Sequence, residues 1–170
     1  MELVDIVPEF NLYEEYWRIF TKSDFIPPQY LGEHAKIEAS LIGEGCEIYG
    51  EVRHSVIGAG VVIEEGAVVR DSIIMRESVI GAGAKITKSI LAEQVVVGRN
   101  SELGVGEFRE SSYDRRVYNS ELVTVGEKTV IPDNVSIGKN TAIWGDTVTA
   151  DYPDGRLESG GAIIKAGGLR

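Results

Sequence analysis

Few side chains in this sequence could do chemistry, and their spacing decides most of what that chemistry would be. Only two histidines occur, His34 and His54. An imidazole titrates near neutrality and is the commonest general base. His54 falls at a position that recurs along the chain, which makes it the one candidate for that role. The sequence supplies it with no orienting partner, so a surface histidine is the better reading. Four serines, Ser40, Ser55, Ser72 and Ser89, occupy matching places in the segments Ile37-Glu-Ala-Ser-Leu-Ile42, Val52-Arg-His-Ser-Val-Ile57, Val69-Arg-Asp-Ser-Ile-Ile74 and Ile86-Thr-Lys-Ser-Ile-Leu91. A nucleophile is one hydroxyl activated by one base. A hydroxyl repeated in every segment is instead turn chemistry, bonded to its own backbone. There is no phosphate-binding loop and no cluster of metal ligands, and no catalytic or metal-binding residue is assigned.

The charged residues beside those serines pose a sharper question. Arg53 and Arg70 are 17 residues apart, and His54, Asp71 and Lys88 form the adjacent column at the same interval. If the segments stack, two guanidinium groups come within about one strand spacing, roughly 4.8 Å. They repel unless an anion or a carboxylate lies between them. Arg53, His54, Arg70 and Lys88 are therefore a candidate phosphate or effector site. The competing reading is that Asp71 and nearby glutamates neutralise the corner.

Stacking follows from the aliphatic pattern. Val52, Ile57, Ile63, Val69, Ile74, Ile80, Ile86, Leu91, Val97 and Leu103 are separated by steps of five, six and six residues, repeated three times. Each cycle of 17 residues makes Val52, Val69, Ile86 and Leu103 equivalent. Smaller residues follow four places after the six-step aliphatics, at Val61, Ala67, Ala84 and Ser101. A helix would need a 3.6-residue period, which is missing. The pattern predicts an all-β fold, a single-stranded parallel β-helix of hexapeptide repeats, in which three short sides make one coil and coils bury one another. Cys46 falls in the small slot after Ile42 and reads as packed core. With no second cysteine, no disulfide forms within the chain, which suggests a reducing compartment.

The domain reading is a linker over residues 1–30 and a β-helix over 31–170. Residues 1–30 read as a short helical or extended linker. Phe10, Tyr13, Tyr16, Trp17 and Phe20 crowd into it and are interface candidates, against the first coil or against another domain or subunit. Pro27-Pro28 then enforces an extended connector. The repeat starts at Leu31, and its first full coil is two residues short, with Gly50 at the tighter corner. The polar run Glu107–Arg116 marks a loop insertion over 104–124, a place where repeat proteins often carry function. Pro153-Asp154-Gly155 signals a turn, and the expectation is a closing hairpin over 145–165 that shields the open end. The net charge of −10 argues against nucleic acid and anionic membranes as partners. No signal peptide or apolar run of about 18 residues is evident, so a cytoplasmic protein is expected.

Four segments together carry a family resemblance: Phe10-Asn-Leu-Tyr-Glu-Glu-Tyr-Trp-Arg-Ile-Phe-Thr21, Pro27-Pro-Gln-Tyr30, Ser40-Leu-Ile-Gly-Glu-Gly-Cys46 and Asp71-Ser-Ile-Ile-Met75. The sequence resembles the C-terminal region of the bacterial glucose-1-phosphate adenylyltransferase (ADP-glucose pyrophosphorylase) family. The resemblance implies a left-handed coil, since known hexapeptide β-helices have that hand and spacing alone does not give it. It also implies a tetrameric parent that makes ADP-glucose and pyrophosphate from ATP and glucose 1-phosphate for glycogen synthesis. The parent's Mg2+ and chemistry would belong to an N-terminal nucleotidyltransferase domain absent from this sequence, leaving no cofactor here. This part would assist assembly and allosteric control by sugar-phosphate or nucleotide effectors. Some hexapeptide proteins are acyltransferases with a histidine base. A self-standing acyltransferase is therefore one alternative, and a ligand-free scaffold is another.

Overall fold

In the computed structural model, residues 4–5, 15–16 and 26–165 are described. Most of the 1–30 linker, with Phe10, Tyr13, Trp17 and Phe20, lies outside them. Tyr16 is described and is exposed.

The repeat becomes strands of two to four residues, because one inward aliphatic flanked by outward residues is all that each side requires. Strands stack in parallel into three sheets of six, seven and seven strands among the described residues. The first side runs from Tyr30–Leu31 to Val130–Ile131. The second runs from Lys36–Glu38 to Arg156–Leu157, and the third from Leu41–Ile42 to Ala162–Ile164. The three sides wind into a left-handed β-helix of hexapeptide repeats.

Register follows the sequence interval. Val52 pairs with Val69, Val69 with Ile86, and Ile86 with Leu103. Ile57, Ile74 and Leu91 form a second column. Both columns are buried, and the small slots Cys46, Val61, Ala67 and Ala84 are buried at the corners. Each fully buried aliphatic contributes about 1.5–3 kcal/mol, and no coil collects that contribution without a neighbour. The short first coil is confirmed by the pairing of Ile37 with Val52. Gly50 permits it through space: a Cβ there would lie 2.3 Å from the Ala67 carbonyl oxygen of the next coil.

The rhythm stops after the strand Glu102–Val105 and resumes at Val123–Val125. Leu91 then pairs with Val125, and Ser101 accepts from the Val135 N–H, 34 residues on. Residues 106–122, which contain no strand, are fastened to the last coil. The Asn140 Nδ2 donates to the Arg109 carbonyl at 2.8 Å. The Ser112 N–H and hydroxyl both donate to the Gly160 carbonyl, at 2.8 and 2.9 Å.

The expected hairpin over 145–165 does not form. Arg156–Leu157 pairs in parallel with Ser136–Ile137, and Ala162–Ile164 pairs in parallel with Ala142–Trp144. The turn signal is expressed as two single-turn 3-10 helices, Thr149–Asp151 and Pro153–Gly155, which lead the chain round a further coil. Leu157 and Ile163 pack against the core and so keep the ladder going. Tyr152 is buried in that coil, and its hydroxyl is 2.8 Å from the Thr147 hydroxyl. Burial pushes its phenol up to about 12. Among the described residues, no helix is long and apolar enough to cross a membrane.

Candidate functional site

The corner between the second and third sides holds the serines and the candidate cations. Ala39, His54, Asp71 and Lys88 turn it with φ of 44°, 45°, 49° and 45°. Each is followed by a serine whose hydroxyl donates back to the carbonyl two residues earlier, at 2.6–2.9 Å. The oxygens of Ser40, Ser55 and Ser72 also accept from the next coil's serine N–H, at 3.1–3.2 Å. The serines are thus a ladder that satisfies the backbone at a strained corner. Among the described residues none of the four hydroxyls is hydrogen-bonded to a base. Cys46 is likewise structural: its thiol donates to the Gly58 carbonyl at 3.0 Å, and burial pushes its pKa up.

Arg53 and Arg70 are register neighbours. Glu51 lies between them, one carboxylate oxygen 2.9 Å from the Arg53 Nε and 2.8 Å from the Arg70 Nη2. The Arg70 hydrogen bond holds the Glu51 carboxyl below its ordinary pKa. An incoming phosphate would compete with this carboxylate rather than enter an empty cradle. Lys88 is drawn away to Glu121 of the insertion, which also receives Lys139 at 3.1 Å. Lys88 accordingly holds its proton more firmly, and the Glu121 carboxyl is lowered first by Lys88 and then by Lys139.

The fold does give His54 a partner. Its Nδ1 is 2.6 Å from Asp71 Oδ1, and its Nε2 is 3.4 Å from Asp5 Oδ1. Asp71 first, then Asp5, raise its pKa. A carboxylate on Nδ1 orients an imidazole as a general base needs, but the Nε2 that would take the proton faces Asp5 and not a serine of the ladder. All four candidate cations, Arg53, His54, Arg70 and Lys88, meet at one corner, but each already has an acidic partner. The 17-residue interval contained the His54–Asp71 pair. The i, i+2 alternation put Glu51 on the face of Arg53. Glu121 had no periodic signal because it belongs to the insertion.

Comparisons agree with this architecture. The family described as GlmU-like, C-terminal hexapeptide matches residues 25–125. The glucose-1-phosphate adenylyltransferase of Lachnospira eligens is 65% identical over 98% of this chain and 40% of its own length. Those of Thermotoga maritima and Fervidobacterium nodosum are 52% and 41% identical over 96% of the chain and 39% of theirs. The chain therefore spans about 40% of the length of these curated relatives. A solved protein described as an acetyltransferase, from Desulfovibrio desulfuricans G20, superposes with a TM-score of 0.53 at 18% identity, over 83% of this chain and 27% of its own. At that identity the likeness concerns the fold alone. Stacked hexapeptide coils, a serine-lined corner and these matches place the chain in the GlmU-like, C-terminal hexapeptide family, with glucose-1-phosphate adenylyltransferases among its relatives.

Proposed function

We propose that this chain is the β-helix portion of a cytoplasmic glucose-1-phosphate adenylyltransferase, serving assembly and allosteric control and not catalysis. The supporting observation is the 65% identity to such an enzyme across 98% of the chain. In this reading, ATP and glucose 1-phosphate become ADP-glucose and pyrophosphate in an N-terminal nucleotidyltransferase domain, for glycogen synthesis. Among the described residues, no group of three His, Cys, Asp or Glu could hold a metal.

The rod's faces suit a protein that packs against others. On the first side, Val62, Val79, Val96 and Val130 form an outward row. On the third side, Leu41, Val56, Ile73 and Ile90 do the same. The second side carries Lys36, Glu51, Lys85 and Glu102 around a single valine, Val68, and is the more polar face. Two apolar faces on a stiff rod favour subunit and domain contacts. An effector bound to one arrangement of those contacts then shifts the equilibrium between them. The acyltransferase alternative needs His54 as a base, and Asp5 stands 3.4 Å from the Nε2 it would use.

Light scattering with and without fructose 1,6-bisphosphate and AMP tests this reading. A dimer or tetramer whose mass responds to either ligand is expected. A stable trimer indifferent to both would favour the acyltransferase.

A further inference from the structure

The outward face of the third side changes size along its length. Its first row starts with bulky residues, Leu41, Val56 and Ile73. It passes Ile90 on the middle strand and ends with small ones, Thr124, Ala142 and Ala162. Two residues further along each strand lies a second outward row. It has Gly43, Gly58 and Met75 before the middle strand, Ala92 on it, and Gly126, Trp144 and Ile164 after it. Gly58 is kept small by its own coil, since a Cβ there would lie 2.7 Å from the Arg76 nitrogen. The Trp144 ring lies across Gly126, where a Cβ would be 2.7 Å from its Cδ2. Between Trp144 and Tyr118 of the insertion runs an apolar groove of about 330 Å³, floored by Thr124 and Ala142.

We propose that this face docks a second copy of the chain, the two rods antiparallel about a two-fold axis along the Ile90 strand. Such an axis sets each row against itself in reverse order. Leu41 then faces Ala162, Val56 faces Ala142, and Ile73 faces Thr124. In the second row Gly43 faces Ile164, Gly58 faces Trp144, and Met75 faces Gly126. Away from the axis, each bulky side chain meets a small one, and Ile73 enters the second copy's groove between Tyr118 and Trp144. Met75, 41% exposed, meets the indole lying over Gly126, a favourable sulfur–aromatic contact. Parallel rods would oppose one row to the other on the same coil. Ile73 would then collide with Met75, and Thr124 would leave a void over Gly126.

The charges at the neighbouring corner agree with the antiparallel order. One residue beyond the second row, Arg76 faces Glu127 and Glu44 faces Lys165, while Glu93 on the axis faces its own copy. Arg76 and Lys165 also hold Glu77 and Asp151 of their own chain, at 3.1 and 2.5 Å, so each cation is shared. Seven strands span about 29 Å, and a side is about 17 Å wide. Two such faces bury about 1,000 Å², the lower end for a specific interface, which suits a micromolar dimer. The first side sets no register, because Val62, Val79, Val96 and Val130 are all alike. This inference deepens the assembly part of the adenylyltransferase reading, and the contact requires this chain alone.

The test is sedimentation equilibrium of the 170-residue chain from about 1 to 500 μM, a range that brackets micromolar dissociation constants. A monomer–dimer equilibrium is expected. Ile73→Asp buries an unpaired charge twice per dimer and should weaken it by about a hundredfold or more. Val79→Asp, on the first side, should leave it unchanged. Arg76→Glu should weaken it by about tenfold, since the lost pair also occurs twice, and adding Glu127→Arg should restore it. Glu93→Gln removes a like-charge contact and should tighten it. Circular dichroism checks that the variants fold; if Ile73→Asp does not, the exposed charge pair decides alone. A monomer throughout, a dimer unmoved by Ile73→Asp, or no recovery in the charge-swapped double variant overturns the docking. A monomer also counts against the assembly reading, whereas an oligomer unmoved by these variants removes this interface and leaves assembly through another face.

Discussion

Replacing Ser72 with alanine separates a backbone ladder from a reactive hydroxyl. The Ser72 hydroxyl donates to the Arg70 carbonyl at 2.6 Å and accepts from the Ser89 N–H at 3.1 Å. Truncation affects those partners unequally. The Arg70 carbonyl keeps the Lys88 N–H at 3.2 Å. The Ser89 N–H loses its acceptor inside a residue that is 0% exposed. A buried donor left without a partner costs about 1–3 kcal/mol, so Ser72→Ala should lose about 2 kcal/mol. For a protein of this size that is a fall of roughly 4–8 °C in thermal midpoint. Ser40→Ala is the milder case: it also takes the acceptor from a buried N–H, that of Ser55, but Ser40 is half-buried at the first coil, where water can take its place, and the loss should be under about 1 kcal/mol. Urea and thermal unfolding followed by circular dichroism would measure both. A loss below about 0.5 kcal/mol for Ser72→Ala, or equal losses at the two sites, would refute the ladder.

The inward and outward positions of the first side should differ just as plainly. Ile80→Ala, at a 0% exposed position, should lose about 3 kcal/mol, and Val96→Ala, outward and 38% exposed, close to none; comparable losses would contradict the alternation. Because the His54 pKa is raised by Asp71 and Asp5, its contribution is full below the ordinary imidazole value of about 6.5 and is lost as pH rises through the folded value. The midpoint difference between the natural protein and Asp71→Asn should therefore shrink as the buffer moves from acid to mildly alkaline, and a flat difference would count against the pair. Glu51→Gln leaves Arg53 and Arg70 facing each other without a bridge. It should lower stability by under about 1 kcal/mol, since both arginines are exposed. That deficit should narrow as salt screens the repulsion, and a deficit growing with salt would refute the bridge.

The sequence revealed the coil almost completely because one physical rule, burial every 17 residues, is applied without interruption from Val52 to Leu103. It also revealed the short first coil, since the step from Ile48 to Val52 breaks that rule visibly. The last coil hides its period because Tyr152 and two 3-10 turns stand where a regular side would be, and Lys139 and Ser159, hydrogen-bonded across it, are 20 residues apart. A turn signal says that the chain bends, not whether it reverses. Only the pairing of Leu157 with Ile137 decides that. The 17-residue interval implies that Arg53 and Arg70 are neighbours, but the placement of Glu51 and Glu121 needs side-chain geometry. The apolar groove had no legible signal at all. Its floor comes from the coils and one wall from Tyr118, in an insertion without period.

The most direct test of the central claim is to replace the matching segment of the Lachnospira eligens glucose-1-phosphate adenylyltransferase with this chain. ADP-glucose formation and solution mass would then be measured on the same preparation. A chimera that keeps the parent's activity and the parent's oligomer is predicted. One that folds but assembles differently, or that forms no ADP-glucose, would contradict the assignment.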